Sequence, residues 1–335
     1  MPNPTVQAAQ YQVVALSGIN LNDKTYHITS RTDINDLLES IRYDGLLTPP
    51  LLIRVHSVFV VVSGFRRIAA CQKLKFSDIT ARILKPETAA FDCLRMAIAE
   101  NALQRSLNLI ETSRSLQKLS AFIPGSKELV GLASILGLAV EEPIIDKIKR
   151  LCLLPKPIQD SILGGTISLT VAMELESLEA DCAIIFNRIF DQLRVGINKQ
   201  KDIVNLSREI SSREGISLKE VLEDDHIIDI MTHRDLDRGQ KSRRLRAYLR
   251  RRRYPRIVEA EKKFETYRKN LKLGNDIRLI PPKNFESTRY GFNLTFTSIE
   301  ELKSIHRRIY ELMQHHDFKK ILGHSDYHST QIKKS

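Results

Sequence analysis

The run LLIRVHSVFVVVS, residues 51–63, restricts the fold more than any other part of the chain. It follows Pro49 and Pro50 and ends at Gly64. Its density of β-branched residues reads as one or two buried strands around a turn near His56 and Ser57. A helix must begin at once, because FRRIAACQKL follows directly. Upstream, Leu37, Leu38, Ile41 and Leu46 recur at helical spacing within DINDLLESIRYDGLL. Asp33 is placed to cap that helix and Gly45 to stop it. Downstream, ITARIL reads as another short strand, and TAAFDCLRMAIAENALQRS as a long helix with Phe91, Leu94, Ala97, Ile98 and Leu103 on its apolar side. Helices alternating with strands predict a small α/β domain over residues 1–107.

Asn108 and Glu111 form N-x-x-E, a capping box that opens the next helix. From 108 to 222 only helical periodicity is found, which predicts an all-helical middle domain. Residues 223–240 are acidic and read as a linker, and 241–272 as a basic helical segment on both sides of Pro255. Residues 273–323 read strand, long hairpin, strand, amphipathic helix, and 324–335 as a polar tail. The expected class is α+β multidomain, in keeping with 335 residues. Ile299, Leu302, Ile305, Ile309 and Leu312 make a stripe on the last helix. That stripe reads as core, and the domain is small enough to predict a homodimer interface as well.

The net charge of +12 is concentrated. Residues 241–272 carry 14 Lys and Arg against 3 Asp and Glu, whereas 1–222 carry 26 against 24. A local excess of this kind points to a polyanion, with nucleic acid favoured over an anionic membrane or a solvated face. No apolar run of 18 residues exists, so no spanning helix is expected. The N-terminal residues do not read as a signal peptide. Cys71, Cys93, Cys152 and Cys182 lack metal-ligand spacing and read as reduced thiols of a cytoplasmic protein.

Three short segments carry chemistry. In SGFRR a strand ends at Gly64 and a helix starts with Arg66 and Arg67 in its first turn. Free N–H groups and the dipole at a helix start favour an anion, and two forked guanidinium groups suit phosphate. In ENALQR, Glu100 and Asn101 are adjacent oxygen donors suited to a hard ion such as Mg²⁺, and Arg105 lies one turn further on the same face. In GLLTPP, backbone and Thr48 are placed to line a small-molecule pocket.

Together, in this order, the segments resemble the ParB family of DNA-partition proteins. The family's G-x-x-x-P-P, G-E-R-R and E-N-x-Q-R-x-x-L-N boxes correspond to GLLTPP (45–50), GFRR (64–67) and ENALQRSLN (100–108). The last has one more residue between Asn101 and Gln104 than the strictest form. LCLLPKPIQDSILGGTISLTVAMEL is similar to the stretch after the family's helix-turn-helix, and LGNDIRLIPPKNFESTRYGFNLTFTSIEELKSIHRRIYEL to its C-terminal dimerisation domain. The resemblance implies a dimeric clamp on double-stranded DNA, gated by CTP and Mg²⁺ and served by a Walker-type partition ATPase, in the cytoplasm at the nucleoid. It places Thr48 near the base, Gly64, Phe65, Arg66 and Arg67 at the triphosphate, Glu100 and Asn101 at the metal, and Arg105 at the phosphates.

Two departures matter. Phe65 replaces the box glutamate, and a phenyl ring cannot accept a hydrogen bond or orient water. That implies nucleotide binding with weak or absent CTP hydrolysis. In the helix-turn-helix segment KELVGLASILGLAVEEPIIDKIKRLCLLP, Gly137 is followed by Leu-Ala-Val where the family places a polar Ser-Arg pair, and Glu141 and Glu142 would repel phosphates at the entry. DNA contacts then fall to Lys147, Lys149 and Arg150, and to Arg243, Arg244, Arg246, Arg250, Arg251, Arg252 and Arg253. A ParB-derived nucleoid-binding protein or transcriptional regulator without active hydrolysis is the alternative. A sulfiredoxin-like enzyme is disfavoured, because SGFRR holds no cysteine.

Overall fold

The structure, a computed structural model, describes residues 9–323; the polar tail expected at 324–335 lies outside them. The chain divides into two compact units, Met1–Gln200 and Lys201–Ser335.

The first unit opens with strands β1 (Gln10–Ala15) and β2 (Ile19–Asn20) and helix α1 (Asn35–Asp44). Strands β3 (Leu51–Val55) and β4 (Val58–Ser63), helix α2 (Phe65–Lys73), strand β5 (Asp78–Leu84) and helix α3 (Ala90–Gln104) follow. The five strands form one mixed sheet in the order β1-β5-β3-β4-β2. β3 and β4 pair antiparallel across a turn at His56, and β3 runs parallel to β5. Successive residues of this hairpin face opposite cores. Leu52 and Val61 pack with Leu38, Ile41 and Ile68 of α1 and α2, while Leu51, Ile53, Val60 and Val62 pack with Leu94, Ala97 and Ile98 of α3. Burial on both faces is why the run is continuously apolar rather than alternating. β1, which the sequence pattern does not mark, is an edge strand with Tyr11 and Val13 69% and 66% exposed, so no apolar run announces it.

The α3-side core does not stop at residue 107. It continues through α4 (Leu109–Leu119), α5 (Ser126–Ile135) and α6 (Glu142–Ile148), whose Leu116, Leu119, Leu129, Ala133, Ile145 and Ile148 join the same cluster. The sheet and the α5–α6 pair therefore share one hydrophobic core. Helices α7 (Lys156–Leu163), α8 (Leu169–Glu176), α9 (Ala180–Leu193) and α10 (Ile197–Glu214) come next; the division between units falls inside α10.

The second unit holds α11 (Leu218–Leu222), α12 (Asp225–Thr232), α13 (Arg238–Arg253) and α14 (Pro255–Asn270). It ends with β6 (Ile277–Ile280), β7 (Gly291–Leu294), α15 (Ile299–Gln314) and α16 (His316–Gly323). Residues 223–240, read from their acidity as a linker, form α12 and open α13. Their carboxylates are helix caps: Asp224 accepts from the His226 N–H at 2.9 Å, and Asp237 from the Gln240 N–H at 2.8 Å. Phe264, Leu271, Leu279, Leu312, Phe318 and Ile321 form the C-terminal core beside the antiparallel β6–β7 pair. The apolar stripe of α15 is divided: Ile305 and Leu312 are buried, whereas Ile299 is 59% exposed. Among the described residues, no helix is long and apolar enough to cross a membrane.

Candidate functional site

Gly64 sits just before α2 with φ of 99°. A Cβ at this position would lie 2.7 Å from the Pro50 Cβ and 3.0 Å from its Cα. Only glycine accepts both the dihedral and the contact, so the turn into α2 lies directly on the proline loop. A break in β3–β4 register between Leu51 and Leu52 falls beside it. The Arg82 N–H donates to the Pro50 carbonyl at 2.8 Å and fixes the loop to β5.

Arg67 joins all three boxes. Its Nη1 donates to the Thr48 carbonyl at 2.7 Å and the Pro49 carbonyl at 3.3 Å, and its Nη2 to Glu100 Oε1 at 2.5 Å. Glu100 stands one turn before the end of α3. The first N–H groups of α2 have no intrahelical partner, and no acidic residue stands in that turn. One end of the sheet thus collects a helix N-terminus, an arginine and a carboxylate around a proline loop.

The other box residues face neighbours. Arg66 Nε donates to the Asp33 carbonyl at 2.8 Å, and Nη2 to Asp36 Oδ1 at 2.7 Å. Phe65 meets the His27 ring edge-on at 4.6 Å, with the Lys24 ammonium 5.1 Å from its centroid. Burial, with Lys24, Arg114 and Lys118 nearby, lowers the His27 pKa to about 4, so this imidazole is neutral near pH 7. Asn101 Nδ2 donates to the Ala97 carbonyl one turn back. Of the eight box residues, Thr48, Gly64, Arg67 and Glu100 are brought together; Phe65, Arg66, Asn101 and Arg105 are held by other partners.

Arg105 is held by Glu111. Its Nη1 and Nη2 each donate to a different carboxylate oxygen at 2.6 Å. Glu111 is fully buried and also accepts from the Ser30 N–H at 2.8 Å, the Asn108 N–H at 3.1 Å and Thr29 Oγ1 at 3.1 Å. Burial alone would raise its pKa, yet the Arg105 guanidinium and the two amides bring it down to about 2. The sequence marked Glu111 as half of a capping box, and both arms of that box are present. It gave no sign that the carboxylate also ties α3 to α4 and to residues 29–30.

Among the described residues, no group of three or more His, Cys, Asp or Glu side chains is placed to hold a metal ion. Glu100 and Asn101 offer one carboxylate and one amide. That donor set fits Mg²⁺ only when nucleotide phosphates and water complete the shell.

The basic positions divide in the same way. Lys149 pairs with Asp146 at 2.6 Å and Arg150 with Glu176 at 2.9 Å, while Lys147 is exposed. On α13, Arg246 pairs with Asp202 at 2.7 Å, and Arg250 forks onto Glu261 at 2.5 and 2.6 Å. Arg252 pairs with Glu214 at 2.7 Å and Asp224 at 3.0 Å, and Arg253 with Glu209 at 2.7 Å. Arg243, Arg244 and Arg251 are exposed, and no carboxylate among the described residues pairs with them.

These features define an α+β multidomain protein whose first domain gathers a helix N-terminus, Arg67 and Glu100 around a proline loop at one end of its sheet. Residues 4–102 match the ParB N-terminal domain family. It is 32% identical over 180 residues to the probable chromosome-partitioning protein ParB of Mycobacterium leprae, covering 52% of each chain. It is 24% identical over 196 residues to the probable plasmid-partitioning protein ParB of Thermus thermophilus, covering 50% of this chain and 65% of that one. The chain thus spans between about half and two thirds of these relatives. Among solved structures, the C-terminally truncated ParB of Caulobacter crescentus complexed with CTP-gamma-S is 21% identical over 54% of this chain and 98% of its own, with a TM-score of 0.26. A pNOB8-like ParB N-domain is 16% identical over 72% of this chain and 96% of its own, with a TM-score of 0.37.

Proposed function

We propose that this chain is a DNA-binding partition protein whose N-terminal domain binds CTP with Mg²⁺ and, as a homodimer, closes on duplex DNA. The observation that carries the reading is Arg67, which meets the Thr48 carbonyl, the Pro49 carbonyl and the Glu100 carboxylate beside the α2 N-terminus. A polyphosphate at that helix end would take the Arg67 fork and the free N–H groups around Gly64. Arg66 and Arg105 would add charge on leaving Asp36 and Glu111. Glu100 and Asn101 would hold the ion, which supplies charge neutralisation between phosphate oxygens. Thr48 would lie near the base. The work of such a site is positioning and electrostatics rather than covalent catalysis.

The homodimer is supported by the outward side of α15, where Ile299, Tyr310 and Met313 are 59%, 61% and 46% exposed on one helix. Lys147, Lys149 and Arg150 beside α6, with the exposed arginines of α13, supply the duplex-binding charge. A Walker-type partition ATPase is the expected protein partner, and the cytoplasmic nucleoid the expected place.

A specific observation favours a second reading. Phe65 lies against His27 and Lys24 and offers no proton acceptor at the α2 N-terminus. The clamp would then open by nucleotide release rather than by hydrolysis, as in a nucleoid-binding protein or regulator derived from ParB.

Calorimetric titration with CTP and Mg²⁺, with and without duplex DNA, tests the nucleotide. Saturable heat is expected; none under either condition refutes binding. Site-specific cross-linking between N-terminal domains tests closure, which must rise when CTP and DNA are both present. Cross-linking that ignores CTP leaves a passive DNA binder.

A further inference from the structure

The arginines of α13 fall into two groups that the sequence does not separate. Ser242, Leu245 and Leu249 form the buried seam of the helix. Arg246, Arg252 and Arg253 flank that seam and Arg250 borders the outward arc, and each is held by carboxylates of α10, of the α12 cap or of α14. Arg252 and Arg253 are fixed further, because Arg213 donates to both of their backbone carbonyls. These guanidinium groups fasten α13 to its neighbours. At about 100° per residue, Arg243, Arg244 and Arg251 share an arc of about 100° with Gln240 and Ala247 on the side opposite the seam. Like charges crowded on one helix face repel unless a counter-charge neutralises them.

We infer that the outward face of α13, carrying Arg243, Arg244 and Arg251, is a contact surface for the phosphates of duplex DNA. Arg246, Arg250, Arg252 and Arg253 are structural. The inference rests on the reading that the chain binds DNA, and adds which charges meet it. The chemistry of the face selects the partner. Guanidinium forks match phosphate oxygens in pairs. No aromatic side chain lies on the arc to stack an unpaired base, which disfavours single strands. No apolar side chain larger than Ala247 lies there to enter a lipid layer, which disfavours a membrane. Small Ala247, between the three arginines, lets the helix approach closely. Arg244 and Arg251 stand about 10 Å apart along the axis. A DNA strand advances about 3.4 Å per phosphate, so the two reach different phosphates.

The test compares the full-length wild type with R243Q/R244Q/R251Q and R252Q/R253Q, by fluorescence anisotropy on a random-sequence duplex between 50 and 200 mM salt. Each phosphate contact contributes about 0.9 to the slope of log affinity against log salt. The triple variant is expected to lose about 2.7 from that slope and at least tenfold in affinity at 100 mM salt, with its thermal midpoint kept. R252Q/R253Q is expected to keep the slope within about 1 and to melt at lower temperature. A triple variant with the wild-type slope overturns the inference. So does an R252Q/R253Q variant that loses as much slope without melting earlier. Loss of binding to phosphatidylserine vesicles in the triple variant, with duplex binding unchanged, overturns it in favour of lipid. CTP titration of the same samples separates the two readings: a wild type that gives no CTP heat but shows the slope difference keeps this inference and defeats nucleotide gating. A wild type that binds no duplex defeats both.

Discussion

Glu111→Gln removes one buried charge while keeping the shape of the side chain. In the native protein this carboxylate accepts both Arg105 forks at 2.6 Å and the amides of Ser30 and Asn108. Its pKa falls from 4.5 to about 2. At about 1.4 kcal/mol per unit, the ionised form contributes about 3 kcal/mol to folding near neutral pH. Glutamine would turn one N–H group toward Arg105 and leave a guanidinium only 24% exposed without its counter-charge. Breaking buried pairs by removing one partner costs about 3–5 kcal/mol, and the exposed side of Arg105 puts this case near the lower figure. The folded pKa lies below the unfolded one. The contribution is therefore complete above about pH 4.5 and is lost as pH falls towards about 2. For a unit of this size, about 3 kcal/mol lowers the unfolding midpoint by about 6–12 °C. Thermal unfolding followed by far-ultraviolet circular dichroism, at pH 7 and pH 3, measures it; the chain has no Trp to serve as a fluorescent probe. The gap between wild type and variant should shrink by about half at pH 3. A gap below about 2 °C at pH 7, or one equal at both pH values, refutes the reasoning.

Gly64→Ala pushes a methyl group to within 2.7 Å of the Pro50 Cβ at a φ of 99°. It should weaken CTP binding at least tenfold by calorimetry, and unchanged affinity would mean that the Gly64–Pro50 contact does not shape the site. Phe65→Glu supplies the missing acceptor at the α2 N-terminus. Phosphate release from CTP in the presence of duplex should rise at least tenfold, and a variant that binds CTP with unchanged turnover would clear Phe65 of responsibility. Ile299→Glu with Tyr310→Glu places charge on the exposed side of α15, away from the buried Ile305 and Leu312. Sedimentation should show monomers where the wild type is dimeric, with helicity retained; a dimeric variant would move the interface elsewhere.

Local pattern reached different depths in different parts of the chain. The β3–β4 hairpin, the stop at Gly45 and the Asn108–Glu111 capping box are short-range features, and each lies where its residue types require. β1 was illegible because an exposed edge strand needs no apolar run, and its partner β5 stands over sixty residues away. The acidity of 223–240 was legible but misleading. Asp224 serves at once as cap of α12, acceptor for the Tyr248 hydroxyl and counter-charge for Arg252, and sequence separation hides the last two roles.

The same limit governs the candidate site. Residue type alone marks Arg66, Arg67, Glu100 and Arg105 only weakly, because charged side chains are common at helix ends; the order of the three boxes is what joins them into one candidate site. Their state was not legible, since it depends on which carboxylate lies within reach. Arg67 is held by Glu100, Arg66 by Asp36 and Arg105 by Glu111. A polyphosphate arriving there must exchange these partners rather than fill open valences. The exchange differs at each arginine: Asp36 is exposed and is left to water, whereas Glu111 is fully buried and keeps only the donors of residues 29, 30 and 108. Moving Arg66 onto a phosphate therefore costs little. Moving Arg105 leaves the buried Glu111 carboxylate without its counter-charge, and that asymmetry makes Arg105 the arginine whose release would couple polyphosphate binding to α4.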